Sequence, residues 1–169
     1  WRDWSSDVCS SDLYTQSAFG FSQVPVPYAL DGVRRDWRGP SLLIAMAEID
    51  LPAGELQWML RAGGLSRVWI GSELVAETPK HLGNTNGHGE VEPYTESDPW
   101  LRPLRPGHRE EIVTHSTSGG STVVALQSMI GGKGYRYEAG EITLAYRTDE
   151  SQMWQLLSLD RAISLTDED

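Results

Sequence analysis

Four histidines could bind a metal ion: His81, His88, His108 and His115. With Glu90, Glu92 and Asp98, these histidines could form a metal cluster. Metal ligands must converge at about 2 Å, and spacings such as HExxH or HxH arrange them in advance. No such spacing occurs in this sequence. We therefore interpret them as solvated loop histidines and predict no metal site and no cofactor in this chain.

Carboxylates are the second group that could do chemistry. A glycosidase needs two of them about 5–10 Å apart across a cleft. The sequence offers several but pairs none: Glu48, Asp50, Glu110, Glu111 and Glu141. The Gly119-Gly120-Ser121 segment lacks the strand-to-helix elbow of a serine hydrolase. The glycines of 131–134 precede strand-like sequence, which argues against a phosphate-binding loop. We predict no catalytic residue and expect that the domain is not an enzyme.

Aromatic residues indicate binding more than catalysis. Trp58 alternates with apolar residues and is predicted to lie in the core, whereas Trp69 alternates opposite Val68 and Ile70 and is predicted on an outer sheet face. Exposed rings offer flat apolar platforms to sugars or proteins. Loop tryptophans that merely close the end of a sandwich are the alternative. The predicted ligand-binding residues are Tyr94, Trp100, Trp69, His88 and Asp98.

The elements that must position these residues are short alternating runs broken by Gly, Pro and Asn, which is typical of all-β proteins. We predict strands at 41–51, 55–61, 67–70, 73–76, 110–116, 122–130, 135–137 and 141–146. The apolar run 41–51 could also be a buried helix, but its length and the following Pro52-Ala53-Gly54 favour a strand. Residues 152–159 could form an edge strand or a short helix.

The connections complete the fold prediction. Pro52-Ala53-Gly54 and Gly119-Gly120 are interpreted as turns between strands, and Gly71-Ser72 as a two-residue type II′ hairpin turn. Residues 78–107 show no periodicity and predict a long irregular loop, which is unusual in a compact domain and tends to be functional. Seven or eight short strands joined in this way predict an antiparallel β-sandwich of the jelly-roll or lectin-like kind.

Composition excludes several function classes. The chain has 169 residues, a formal net charge of −10 and one cysteine. The acidic balance argues against a nucleic-acid partner or an anionic membrane surface. One cysteine cannot form an internal disulfide framework. No apolar run approaches the roughly 20 residues of a membrane span, so we predict no membrane insertion.

The N-terminal segment 3–13, DWSSDVCSSDL, coincides with a translation of a common short-read sequencing adapter. A Ser/Asp-rich disordered terminus is the alternative. Residues 1–13 hold one arginine, three aspartates and Cys9, so the remaining chain has 13 basic and 21 acidic residues, net −8, and no cysteine. We expect an artefact at 1–13, a lead-in at 14–40, the β-sandwich at 41–159 and the start of a truncated linker at 160–169.

Two resemblances extend these predictions, and the first lies in 51–78, LPAGELQWMLRAGGLSRVWIGSELVAET. This segment resembles the strand–hairpin core of protective-antigen-type lectin sandwiches, where a G-x-[YF]-x-[FL] strand leads into an R-L-W-I-D-G-K-L-V hairpin. The resemblance implies a lectin-like sandwich. Gly71 stands where that family has the hairpin aspartate, a calcium or sugar contact, so calcium-dependent binding at that position is not implied.

The second resemblance covers 19–168 and is to an accessory region of large exported planctomycete-type cytochrome C proteins. The matching pieces are 33–35, 51–61, 66–78, 107–110, 129–146 and 165–168. It implies an exported protein of the periplasm or cell envelope whose neighbouring domains include haem-bearing ones. This chain contains no CxxCH motif for attaching a c-type haem.

The sequence thus leads to two functional hypotheses. The first is a non-catalytic module that binds polysaccharide or another cell-envelope ligand within a larger exported cytochrome-like protein. The second is a structural domain that packs against haem-bearing or other neighbouring domains of that protein. The second hypothesis predicts a large exposed apolar patch on one sheet face that includes Trp69.

Overall fold

The computed structural model describes residues 17–21, 41–79, 104, 108–130, 141–151 and 153–158. These residues form seven strands: β1 Gly20–Phe21, β2 Ser41–Ala62, β3 Ser66–Ile70, β4 Glu73–Thr78, β5 Arg109–Ile130, β6 Ile142–Thr148 and β7 Gln155–Leu156. The strand order is β1-β6-β2-β5-β3-β4, and β7 pairs with β6. All these pairings are antiparallel, which confirms the predicted all-β antiparallel fold. None of the described residues forms a helix that could cross a membrane.

Strands β2 and β5 form one long two-stranded ribbon. Their pairing keeps a single register from Ser41 opposite Ile130 to Ala62 opposite Arg109. The predicted turns at Pro52-Ala53-Gly54 and Gly119-Gly120 are therefore wrong as chain reversals. They lie opposite one another within the ribbon, with Leu51 facing Gly120, and they bend both strands at the same point.

The bend changes which residues of β2 face the core. Before it the odd-numbered Ile49 and Leu51 are buried, and after it the even-numbered Leu56, Trp58 and Leu60 are buried. A regular strand would keep one parity on one face. Three glycines at the bend have positive φ, namely Gly54 (118°), Gly119 (79°) and Gly120 (86°). Because glycine adopts such angles readily, both strands can exchange faces without losing their register.

The ribbon carries the rest of the sheet on opposite sides. On one side of the bend, residues 56–62 of β2 also pair with β6. On the other side of the bend, residues 124–128 of β5 also pair with β3. Buried residues from both parts meet in one hydrophobic cluster that includes Trp58, Leu60, Val68, Ile70, Leu126, Ile142 and Leu144. The sheet is thus bent so that its two parts pack on a common core, as the sandwich prediction requires.

Several local predictions are confirmed. Trp58 is fully buried, and Val68 and Ile70 face the core. Gly71-Ser72 forms a two-residue connection between β3 and β4, and Gly71 has the positive φ that such a turn requires (60°). Of the two alternatives for residues 152–159, an edge strand or a short helix, the structure shows the edge strand β7.

Other predictions fall largely outside the described part of the chain. They are the segment 1–13, most of the lead-in 14–40, the strand at 135–137 and the linker at 160–169. The predicted irregular loop at 78–107 also lies outside it, apart from Thr78, Pro79 and Leu104. Thr78 ends β4, and Leu104 is buried.

The bend gives a matched pair of glycine substitutions. A Cβ at Gly119 would lie 2.9 Å from the Ala53 Cβ and 3.0 Å from its backbone nitrogen, whereas a Cβ at Gly120 would meet nothing within 4 Å. Both alanines lose about 1–3 kcal/mol to the positive φ, and only Gly119→Ala adds a clash with the partner strand. We expect Gly119→Ala to lower the free energy of unfolding in urea by at least ~1 kcal/mol more than Gly120→Ala. Equal losses would contradict this account of the bend.

Candidate functional site

The outward surface of β2, β5, β3 and β4 is the first candidate site. Register places Met46, Ala125, Trp69 and Leu74 side by side, one from each strand. Strands about 4.8 Å apart give this row a length of roughly 14 Å. The structure confirms the prediction that Trp69 lies on an outer sheet face, where it is half-buried. We call the surface around this row the outer apolar face.

Most residues of the outer apolar face are hydrophobic and exposed. Met46 is 65% exposed and Leu42 57%. The other large hydrophobic residues exposed there are Ile44, Val123, Met129 and Leu74. Soluble proteins rarely expose a contiguous apolar patch of this kind unless it binds something. On β2, this exposure arises from the run 41–51, in which both odd- and even-numbered positions hold apolar residues. Only the odd-numbered residues contact the core.

The outward surface on the other side of the bend is different. There Met59 and Ala145 are almost fully buried, although both point away from the common core cluster. Beside them Arg61 is also buried and forms an ion pair with Glu110 at 2.6 Å. Ile112, opposite Met59, is nevertheless 46% exposed. This surface therefore differs from the outer apolar face in having fewer exposed apolar side chains, not in having none.

Polar groups lie in the row next to Trp69. Register places Gln127, Arg67 and Glu77 side by side on the same surface. The Arg67 Nε–H donates a hydrogen bond to Glu77 Oε2, and both side chains are exposed. Residues two apart on one strand face lie about 7 Å apart. Hydrogen-bonding groups thus lie about 7 Å from the row that contains the Trp69 ring.

Of the five predicted ligand-binding residues, Trp69 lies within the described part of the chain. Tyr94, Trp100, His88 and Asp98 lie outside the described residues. The surface that surrounds Trp69 is instead built from residues that the sequence reasoning did not select, chiefly Met46, Leu74 and Gln127. Their outward orientation could have been found by extending the strand alternation of Trp69 to its neighbouring strands.

The second candidate site is a cleft at the bend of the ribbon, which we call the bend cleft. It has a volume of about 220 Å³ and is lined by the β5 segment from His115 to Thr122, with Leu51 and Ile70. His115 Nδ1 lies 3.8 Å from Glu73 Oε1, across from the start of β4. The cleft corresponds to the Ser/Thr/Gly-rich stretch HSTSGGST. The local sequence pattern predicts two strand ends and a turn there and does not indicate a site.

The histidine interpretation needs correction at two positions. His108 is buried, and its Nε2 accepts a hydrogen bond from the Glu141 backbone N–H at 2.9 Å. His115 is half-buried on β5. Neither is a solvated loop histidine, while His81 and His88 lie outside the described residues. Within the described ranges, no group of three or more His, Cys, Asp or Glu residues is placed to hold a metal ion.

Three of the five candidate carboxylates have protein partners. Glu110 is held by Arg61, and Glu48 accepts a hydrogen bond from the Ser121 hydroxyl at 2.7 Å. Glu141 is buried and accepts from Thr143 Oγ1 at 3.2 Å. These contacts are interpreted as structural. Two of them join residues on the paired strands β2 and β5, and the third joins residues at the start of β6.

Known proteins resemble this chain weakly. No family model matches the chain, and no curated protein matches it. A PA14 sugar-binding domain from an RTX adhesin has a TM-score of 0.47 at 13% identity, covering 73% of this chain and 54% of that one. A β-glucosidase from Kluyveromyces marxianus in complex with glucose has a TM-score of 0.42 at 12% identity, covering 70% of this chain and 12% of that one. Likenesses this weak do not indicate what this chain binds.

The buried contact of His108 gives a stability prediction. Replacing His108 with Ala removes the acceptor of the Glu141 N–H, and a buried donor without a partner costs about 1–3 kcal/mol. We expect His108→Ala to lower the free energy of unfolding by that amount and to speed hydrogen exchange of the Glu141 amide. His115→Ala is the control, since it should leave that amide protected. Unchanged exchange at Glu141 in His108→Ala would show that the hydrogen bond does not form in solution.

Proposed function

We propose that this domain is a non-catalytic polysaccharide-binding module and that the outer apolar face is its binding surface. The observation that carries the proposal is the position of Trp69 in an outward row with Met46, Ala125 and Leu74, beside the polar row of Gln127, Arg67 and Glu77. In this proposal Trp69 is the stacking platform for a sugar ring.

The chemistry of sugars fits this arrangement. A pyranose ring has apolar C–H faces and a rim of hydroxyl groups, so it needs a flat apolar platform and nearby hydrogen-bonding groups. The tryptophan ring supplies the platform, while the guanidinium of Arg67 donates and the carbonyl oxygen of Gln127 accepts. The row is about 14 Å long, so it offers contacts to successive sugars of a chain.

Charge narrows the class of polysaccharide. The chain has a net charge of −10, which repels polyanions at long range. We therefore propose neutral or amino-sugar polymers as ligands, in keeping with a cell-envelope or extracellular setting. The predicted residues Tyr94, Trp100, His88 and Asp98 remain candidate contacts for the same polymer, and residence in a larger exported cytochrome-like protein remains part of the proposal.

The exposed aliphatic residues of β2 support a second candidate function. Leu42 and Ile44 extend the apolar surface along β2, toward the start of that strand. Aliphatic side chains without aromatic rings are more typical of protein contacts than of sugar contacts. The second candidate is therefore a structural domain whose outer apolar face packs against a neighbouring domain of the same protein.

One substitution series separates the two candidates. We expect Trp69→Ala to weaken retention of the full chain on insoluble neutral or amino-sugar polysaccharides by about tenfold or more, since an aromatic anchor contributes ~2 kcal/mol. Trp69→Phe should keep most of the retention because it keeps a ring. Ile44→Thr, on the same face but away from the ring, should change it less than twofold. The measurement is a depletion isotherm, with circular dichroism to verify folding.

The opposite pattern would favour the packing function. If the folded wild-type chain is retained on none of these polymers, polysaccharide binding is wrong. A neighbouring domain should instead be released to similar extents by Ile44→Thr and Trp69→Ala, since packing energy is spread over the whole apolar surface.

A further inference from the structure

We propose that the bend cleft is a second binding site, separate from the outer apolar face, and that it takes a single neutral sugar residue such as the end of a polysaccharide chain. The proposal rests on the proposed function for its ligand class. It concerns different residues, because the cleft is lined by the 115–122 segment with Leu51 and Ile70, none of which belongs to the outer apolar face.

The size of the cleft points to a small ligand. Sites for drug-sized molecules commonly enclose about 300–1,000 Å³, and the bend cleft has about 220 Å³. It is also bounded on two sides by different elements, the bend of β5 and the end of β3. A single ring can enter such a space, whereas a continuous polymer needs an extended surface.

The accessible lining of the cleft is mainly polar. Leu51 and Ile70 belong to the core cluster and are 3% and 8% exposed, so they contribute little accessible apolar surface. The remainder is hydroxyl-bearing or glycine, apart from His115. The hydroxyl rim of a sugar ring matches this mainly polar lining.

The hydroxyl groups can both donate and accept. Thr117 Oγ1 donates to the Pro52 carbonyl, and Ser121 Oγ donates to Glu48, so these two side chains are held in place. No hydrogen bond joins the hydroxyls of Ser118 or Thr122 to another described residue. A ligand with several hydroxyls matches such groups, since every hydroxyl is a donor and an acceptor.

Charge at the cleft favours a neutral ligand. Among the described lining residues there is no lysine or arginine, and the Glu73 carboxylate lies 3.8 Å from His115. A phosphate or carboxylate ligand would need a permanent positive charge to offset its desolvation. The neutral hydroxyl-rich ligand therefore fits better than an anion.

The glycines of the bend keep the cleft accessible. A Cβ on Gly120 would meet nothing within 4 Å, so the backbone there borders open space that a side chain would occupy. A ligand can approach the main chain closely at such a position. Gly120, one of the positive-φ glycines of the bend, thus leaves room for a ring beside the main chain.

The test is an NMR titration of the full chain with the methyl glycosides of glucose, galactose, mannose and N-acetylglucosamine, and with inorganic phosphate. At least one glycoside should shift the Gly119 and Gly120 amide resonances with a Kd in the millimolar range, about −4 kcal/mol. The paired substitution Ser118→Ala and Thr122→Val, which removes two hydroxyls at nearly constant volume, should weaken that Kd fivefold or more. Trp69→Ala should leave it unchanged.

The outcomes separate this inference from the proposed function. The cleft site would be overturned if glycosides shift only the resonances of Trp69, Ala125 and Gln127, or if no glycoside causes any shift. Retention on insoluble polysaccharide would still test the function of the outer apolar face. A response to phosphate but to no glycoside would also overturn it. Loss of polymer retention in Trp69→Ala together with intact glycoside shifts at Gly119 and Gly120 would support two separate sites.

Discussion

The unbroken pairing of β2 with β5 is the constraint on which the rest of the structure depends. Its register is constant across the bend, so any distortion in one strand must be matched in the other. The positive-φ glycines on both strands meet that requirement. Strand β6 then adds to one part of the ribbon and β3 to the other, and the common core forms between the two parts. Both candidate sites follow from this arrangement, because the outer apolar face lies on one arm and the bend cleft lies at the corner.

The strands could be predicted from the sequence where one face is buried and the other is not. Alternation identified Leu56, Trp58 and Leu60 as core residues and assigned Trp69 to the outside. The bend could not be predicted in the same way. Pro52-Ala53-Gly54 and Gly119-Gly120 show that the backbone needs unusual angles, but a local signal does not distinguish a bend from a reversal. Only the long-range pairing of Leu51 with Gly120 shows that the two signals belong to one bend.

The candidate sites were predictable to a smaller extent. Trp69 was selected by its own alternation, while its neighbours in space come from three other strands and depend on the register. The apolar run 41–51 resembles a strand buried on both faces, which is usual for such runs, yet Met46 and Leu42 are exposed. His108 gave no local sign of burial, since its hydrogen-bond partner Glu141 is distant in sequence. In each case the missing information is which residues, distant in sequence, are neighbours in the folded structure.

The long ribbon also governs how the domain folds and how it can vary. Its closest pair in sequence is residue 62 with 109, and its most distant is 41 with 130, so no part of it can form as a simple hairpin. Topologies dominated by such non-local pairing fold in milliseconds to seconds. The ribbon tolerates changes in the length of the chain between β4 and β5, because each doubling of the length of a connection costs only about 0.6 kcal/mol in loop-closure entropy. The bent sheet can therefore stay the same while the length of the connection between β4 and β5 changes over evolutionary time.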